Sequence, residues 1–184
     1  IGSNQSVNED VLAQTVPNWA SDISPGSSNE SGQTLTFTLS NDNNGLFSSQ
    51  PTVNSDGDLI YTPAADAHGS ATVSIYLSDD GGTANGGVDE TSTSTFTIAV
   101  TPVADTPSIT DASTLEDTQS TSGLVISRNA VDGSEVTHFK ITGITNGSLY
   151  QQDGVTGISE DDFITYAQGS SGLRFSPGDD FNGD

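Results

Sequence analysis

Thr95-Phe96-Thr97-Ile98-Ala99-Val100-Thr101 is the stretch that decides the fold. Large apolar residues occupy every second position, with small or hydroxylated residues between them. Successive side chains of an extended strand point to opposite faces, so this segment has one face for a core and one for water. The same period extends outward along the chain. Leu35, Phe37 and Leu39 alternate with Thr34, Thr36 and Thr38, and Val73, Ile75 and Leu77 alternate with Thr72, Ser74, Tyr76 and Ser78. Phe139 and Ile141 continue the theme, as do Leu173 and Phe175. Thr and Ser on the wet face favour strands while staying soluble. Clusters of Gly, Asn, Asp, Ser and Pro at residues 24–32, 41–45, 54–58, 79–89 and 169–172 supply turns between the runs. No stretch carries a helical period. The pattern predicts an all-β, antiparallel β-sandwich architecture.

Composition sharpens this. The chain has 184 residues, 31% of them apolar, and a formal net charge of −22. Few apolar residues and high charge usually mark disorder; their strict alternation here argues for folding instead. Lys and Arg total 3 against 25 Asp and Glu, and residues 1–106 hold 13 acids with no Lys or Arg at all. That excludes nucleic acid as a partner, because phosphate contact needs clustered cations. It also argues against docking on anionic lipid. No run of about 18 apolar residues exists, so direct membrane insertion is not expected. No charged-then-apolar leader opens the sequence, and any secretion signal is expected outside these residues. With neither Cys nor Met, disulfides, thiolate metal sites and cysteine nucleophiles are excluded.

An internal repeat organises the chain. Asn8-Glu9-Asp10-Val11 returns as Leu115-Glu116-Asp117-Thr118, an offset of 107 residues. Leu59-Ile60-Tyr61-Thr62-Pro63 returns as Leu173-Arg174-Phe175-Ser176-Pro177, an offset of 114. Each Pro is followed by an acid and a glycine, Asp66 and Gly69 in the first copy, Asp180 and Gly183 in the second. Asn44-Gly45-Leu46-Phe47 is echoed by Asn146-Gly147-Ser148-Leu149-Tyr150. Two diverged copies of one sandwich module are expected, at residues 1–105 and 106–184. The seam, Thr101-Pro102-Val103-Ala104-Asp105-Thr106-Pro107, is short and stiffened by two prolines. The first copy has two more core strands after Pro63. The second is expected to lack their counterparts, through truncation of a longer chain or donation by another.

The acids gather at strand ends. Glu9-Asp10 has a copy in Glu116-Asp117. The loop from Ser78 to Glu90 carries Asp79, Asp80, Asn85 and Asp89 among glycines. Asp105 lies in the seam, with Asp132 and Glu135 expected nearby in the next module. A surface this acidic repels itself unless neutralised. Calcium takes six to eight oxygen ligands from carboxylates, Asn side chains and backbone carbonyls, and Gly-studded Asp loops can supply them. The expected cofactor is Ca2+, with Glu9, Asp10, Asp79, Asp80, Asn85, Asp89, Asp105, Glu116, Asp132 and Glu135 as candidate ligands. The alternative is a solvated acidic loop that holds no ion tightly. Residues 54–58 resemble an EF-hand opening, but Ala65 stands where the closing Glu belongs, so they read as a hairpin turn.

Asn18-Trp19-Ala20, residues 29–35 (Asn-Glu-Ser-Gly-Gln-Thr-Leu), Leu59-Ile60-Tyr61-Thr62-Pro63, Asp79-Asp80-Gly81-Gly82-Thr83 and Val103-Ala104-Asp105-Thr106-Pro107 together resemble the cadherin-like, VCBS-type tandem repeats of giant bacterial RTX-type surface adhesins. The resemblance covers residues 1–107. The second copy resembles another branch of the same superfamily through Glu116-Asp117 and residues 132–141. It implies a calcium ion between modules, held by ligands that map onto Glu9, Asp79, Asp80, Asp105 and Asp132, freezing the angle of the string. The chain departs from that pattern: its linker has fewer acids, and Asp79-Asp80-Gly81-Gly82 replaces the glutamate-bearing signature.

Other residues point nowhere more specific. His68 and His138 have no His or Cys neighbours in sequence, so zinc is not expected. Trp19, the single Trp, reads as a packing residue before it reads as a sugar platform. Asp161-Asp162 and Asp179-Asp180 are adjacent on the chain and point apart on a strand, which does not suit a glycosidase pair. No Gly-x-Ser-x-Gly elbow, Walker loop or dinucleotide fingerprint occurs, and no enzyme is expected. The expectation is a non-catalytic, extracellular spacer module on a bacterial cell surface, involved in adhesion or biofilm and partnered by neighbouring repeats of its own chain. Alternatives are a carbohydrate- or self-binding adhesive module that contacts polysaccharide or a cell surface, or a spacer in a secreted polysaccharide-degrading enzyme.

Overall fold

The computed structural model describes residues 1–84 and 87–181. The chain divides into two compact units, Ile1–Val103 and Ala104–Asp184.

The first unit holds seven strands: β1 (Gln5–Asn8), β2 (Gln14–Val16), β3 (Thr36–Asn41), β4 (Phe47–Val53), β5 (Leu59–Pro63), β6 (Gly69–Ser78) and β7 (Ser94–Thr101). They form a four-stranded sheet in the order β1-β7-β6-β3 and a three-stranded sheet in the order β2-β5-β4. All pairs are antiparallel except β1 with β7, which run parallel from Gln5 opposite Ile98 to Asn8 opposite Thr101. The alternating residues close the core between the sheets. Ala71, Val73 and Ile75 from β6 and Phe96, Ile98 and Val100 from β7 are buried against Leu59 and Tyr61 of β5. Each fully buried aliphatic side chain contributes about 1.5–3 kcal/mol. Trp19 belongs to this core, 4.3 Å from the Phe96 ring, with its indole N–H donated to the Ser3 carbonyl at 2.9 Å.

Residues 54–58 form the β4–β5 hairpin turn. The Asn54 Oδ1 accepts from the Asp56 and Asp58 amides at 3.0 and 2.8 Å. Gly57 sits at φ 86°, and a Cβ there would collide with the Ala20 carbonyl. Only glycine meets both demands.

The second unit holds β8 (Ser108–Ile109), β9 (Ile126–Ser127), β10 (His138–Lys140), β11 (Gly147–Tyr150), β12 (Gly157–Ile158), β13 (Phe163–Thr165), a helix α1 (Tyr166–Ser170) and β14 (Arg174–Pro177). The sheets are β12-β11-β14, β10-β13 and β8-β9. Ile126, Val136, Phe139, Ile141, Ile158, Ile164 and Leu173 form a separate core. The expectation of no helix is corrected by α1. Its cause is local: Thr165 and Gln168 form a reciprocal capping box. Tyr166 on this helix packs against Phe139 and lies under the Arg128 guanidinium, 3.8 Å from the ring centroid.

The repeat survives as structure. Phe47 pairs with Pro63 in the first unit and Gly147 with Pro177 in the second, a shift of two residues from the sequence echo, which matches Gly147 to Gly45. Among the described residues of the second unit, no strand follows β14.

Candidate metal centre

The acids expected to act together are distributed over separate places. Glu9 and Asp10 follow β1, at the end of the first unit where β7 finishes. The Glu9 amide donates to the Thr101 carbonyl at 2.9 Å. Its side chain is turned inward and is only 6% exposed. One carboxylate oxygen, Oε1, accepts from the Val103 amide at 2.6 Å, and the other lies 3.3 Å from Nδ1 of His68. Glu9 therefore clamps the exit of β7 onto the first turn of the unit.

Asp10 is exposed and held at φ 61°. Its Oδ1 accepts from the Asp66 amide at 3.0 Å, and Asp66 itself sits at φ 57°. Asp tolerates this left-handed backbone better than most residues. The two carboxylates offer oxygens within 4.8 Å of one another. Sequence reasoning placed neither Asp66 nor His68 here. The signal for Asp66 was the repeat, which returns it as Asp180.

Asp79 and Asp80 do not join Glu9, contrary to the resemblance-based mapping. β6 starts beside the end of β7, with Gly69 opposite Val100, and runs ten residues away from it. At about 3.3 Å per residue, its far end lies roughly 30 Å from Glu9. The acid that the fold brings to Glu9 and Asp10 stands before β6, not after it. At the far end, the Asp79 Oδ1 accepts from the Gly81 amide at 2.7 Å, and the Asp79 amide donates to the Asp89 carbonyl at 3.0 Å. Asp80 accepts from the Thr34 amide at 2.9 Å, and this backbone hydrogen bond holds its carboxyl below the usual range. These acids fasten the loop and tie it to the start of β3. Asn85 lies outside the described residues.

In the second unit, the Asp105 amide donates to the Asp132 Oδ1 at 3.0 Å. The Asp132 Oδ2 is sealed from solvent and has no hydrogen-bond partner in the protein. Glu135 turns back to accept from the Gly133 amide. The linker backbone at Asp105 thus meets Asp132, and Glu135 folds onto the same loop. A carboxylate oxygen buried without a donor carries a desolvation penalty that a cation would relieve. The donor set, carboxylates without sulfur or imidazole, suits a hard divalent ion.

Glu116 is exposed. It stands in the turn that repeats Glu9-Asp10. Beside it, Asp117 sits at φ 55° and accepts from the Asp180 amide at 3.3 Å, with Asp180 at φ 57°. This reproduces the Asp10–Asp66 arrangement.

Three other acids of the second unit have local partners. Asp161 pairs with the Lys140 ammonium at 2.7 Å, and the Asp162 Oδ2 accepts from the Ser159 amide at 2.7 Å. Hydroxyl and amide donors from Thr156, with the Val155 amide, hold Asp153 below the usual carboxylate range. Among the described residues, no helix is long and apolar enough to cross a membrane.

No protein-family model matches the chain. No curated protein matches it in sequence. Among solved structures, it aligns with the crystal structure of chicken VE-cadherin EC1-2, with 16% identity and a TM-score of 0.40, over 99% of this chain and 82% of that one.

Proposed function

We propose that this chain is a non-catalytic structural spacer from a large secreted or cell-surface bacterial adhesin, stiffened by calcium at its acidic turns and linker. The observation that carries the reading is the Asp10–Asp66 pair. Two carboxylates approach within 4.8 Å in a segment that contains no Lys or Arg. Each is pinned on a left-handed backbone, and the second unit repeats the arrangement with Asp117 and Asp180. A fold that holds like charges together in the first copy, with no Lys or Arg to offset them, and repeats the backbone of that turn in the second is prepared for an inorganic cation.

Asp105 is the acid that the seam itself supplies as a candidate ligand. The orphaned Asp132 Oδ2 supports a cation at the same stretch of linker. Calcium there would order the linker and stabilise the folded form by mass action, by about 2.7 kcal/mol at a hundredfold excess over Kd.

Calorimetry tests the reading. Melting temperature should rise in millimolar calcium relative to EDTA, and magnesium should give a smaller rise. Identical melting curves in calcium and EDTA would remove the basis for a calcium-stiffened spacer.

A further inference from the structure

The second unit contains an open apolar cleft of about 370 Å³, lined by Ala112, Thr114, Lys140 and Thr142, with Phe139 and Leu173 also in its lining. The first unit shows what fills this place. There, β7 and β6 lie between β1 and β3. The repeat sets residues 112–115 in the place of β1, since Leu115 matches Asn8. It sets β10 in the place of β3, because β10 precedes β11 as β3 precedes β4. The cleft therefore lies where two strands stand in the first copy.

The free edge of β10 agrees. Inward- and outward-facing residues of a strand send their N–H and C=O groups to opposite edges. In the first unit, the outward-facing set of β3 meets β6: the exposed Asp42 donates its amide to the Thr72 carbonyl at 3.3 Å. β10 meets β13 with the other set. Buried Ile141 donates its amide to the Asp162 carbonyl at 2.9 Å, and Thr137, of the same parity, accepts from the Tyr166 amide at 2.8 Å. β13 thus occupies the opposite edge of β10. The backbone groups of His138, Lys140 and Thr142 point to the edge away from β13, and Lys140 and Thr142 line the cleft.

We propose that this cleft seats a β-hairpin of the β6–β7 type, carried on the same polypeptide and entered through the turn at residues 178–181. That turn copies the one that leads into β6. The Gly178 amide donates to the Asn146 carbonyl at 2.9 Å, as the Ala64 amide does to the Leu46 carbonyl at 3.0 Å. The Phe181 amide closes on the Gly178 carbonyl at 3.0 Å, as that of Ala67 closes on Ala64 at 3.3 Å. Asp66 and Asp180 share φ 57°, and in the first unit β6 begins three residues after Asp66. The first hairpin strand adds antiparallel to the edge of β10, and the second runs parallel beside residues 112–115. Apolar residues at every second position cover Phe139 and Leu173, which is β-augmentation from within the chain.

The test joins residues 70–101, the first unit's own hairpin, directly after Gly183 of the full chain. The second unit should then melt at least about 5 °C higher. The amides of His138 and Lys140 should gain protection from hydrogen exchange, and binding of a hydrophobic dye should fall. The same graft carrying Val73→Asp, Ile75→Asp and Ile98→Asp should restore none of these. An unchanged melt with unprotected amides overturns the proposal. So does a concentration-dependent dimer of the ungrafted chain that protects the same amides, which would make a second copy the occupant. All of these readings are taken in EDTA, so they are independent of the calcium proposal.

Discussion

The Asp66 amide donates to the Asp10 carboxylate at 3.0 Å, with both residues in the left-handed region of the backbone. That single bond fixes where two negative charges stand. Asp10→Asn keeps the acceptor and tolerates the backbone but removes one charge. We expect it to weaken calcium binding roughly tenfold, about 1.4 kcal/mol. Without calcium, it should be neutral or slightly stabilising, because a repulsion is gone. Titration calorimetry measures the affinity, and Asp22→Asn, at a comparable φ of 56° outside this turn, is the control. Equal calcium affinity in both variants would show that Asp10 is not a ligand.

Glu9 is the buried clamp beside this pair, and its two oxygens serve different partners. Glu9→Ala leaves the Val103 amide without its charged acceptor. We expect a loss of about 1.5–3 kcal/mol, the range for a hydrogen bond to an ionised group. Glu9→Gln keeps an acceptor for Val103 and should lose less than half as much. Urea unfolding in EDTA measures both without contribution from a bound ion.

How far the sequence carries can be read at these same residues. Phe96, Ile98 and Val100 point to one face in the structure because a period of two permits nothing else, so strands and core were legible. The hairpin turn at residues 54–58 was legible too, since Asn and Gly have specific roles there. Strand direction was not. Nothing in the residue pattern says that β6 leaves the Glu9 end and delivers Asp79 and Asp80 to the opposite one. Pairing register decides that, and it is a long-range property. The same lack hid His68, which meets Glu9 only after β6 pairs with β7. The helix α1 was missed because five residues hold too little period to detect, although the Thr165–Gln168 box was visible.

Tyr61 is fully buried, and its hydroxyl has no hydrogen-bond partner in the protein. Burial also pushes its phenol pKa up. The ring packs edge-on to Phe47 at 6.0 Å, which Phe at this position would preserve. Tyr61→Phe removes a polar group that gains nothing in the core. We expect it to stabilise the first unit by about 1 kcal/mol. Chemical denaturation measures it, and a loss of stability would mean that the hydroxyl has a partner such as buried water.

Asp80 links electrostatics to pH. The Thr34 amide depresses its carboxyl pKa in the folded state, so the charged form is favoured by folding. Its contribution is fully present above the unfolded-state value, near 3.8, and is lost as pH falls through the lower folded value. Asp80→Ala should therefore destabilise the protein at pH 7, and the gap to the parent should close as pH drops below about 4. Denaturation curves at a series of pH values read this directly. A gap that stays constant with pH would mean that packing, not charge, ties this loop to Thr34.

Trp19 gives the two units separate voices. It is the only Trp, it is buried in the first core, and the second core shares no residue with the first. Its emission should be that of a shielded indole and should shift red only when the first unit opens. Ile98→Ala removes a fully buried side chain from that core, and we expect a loss of about 2–5 kcal/mol in the fluorescence transition. Leu173→Ala deletes a comparable group from the second core. It should lower the second unit's transition seen by circular dichroism while leaving the Trp19 transition in place. If Leu173→Ala moves the fluorescence transition as far as Ile98→Ala does, the two cores unfold as one cooperative body.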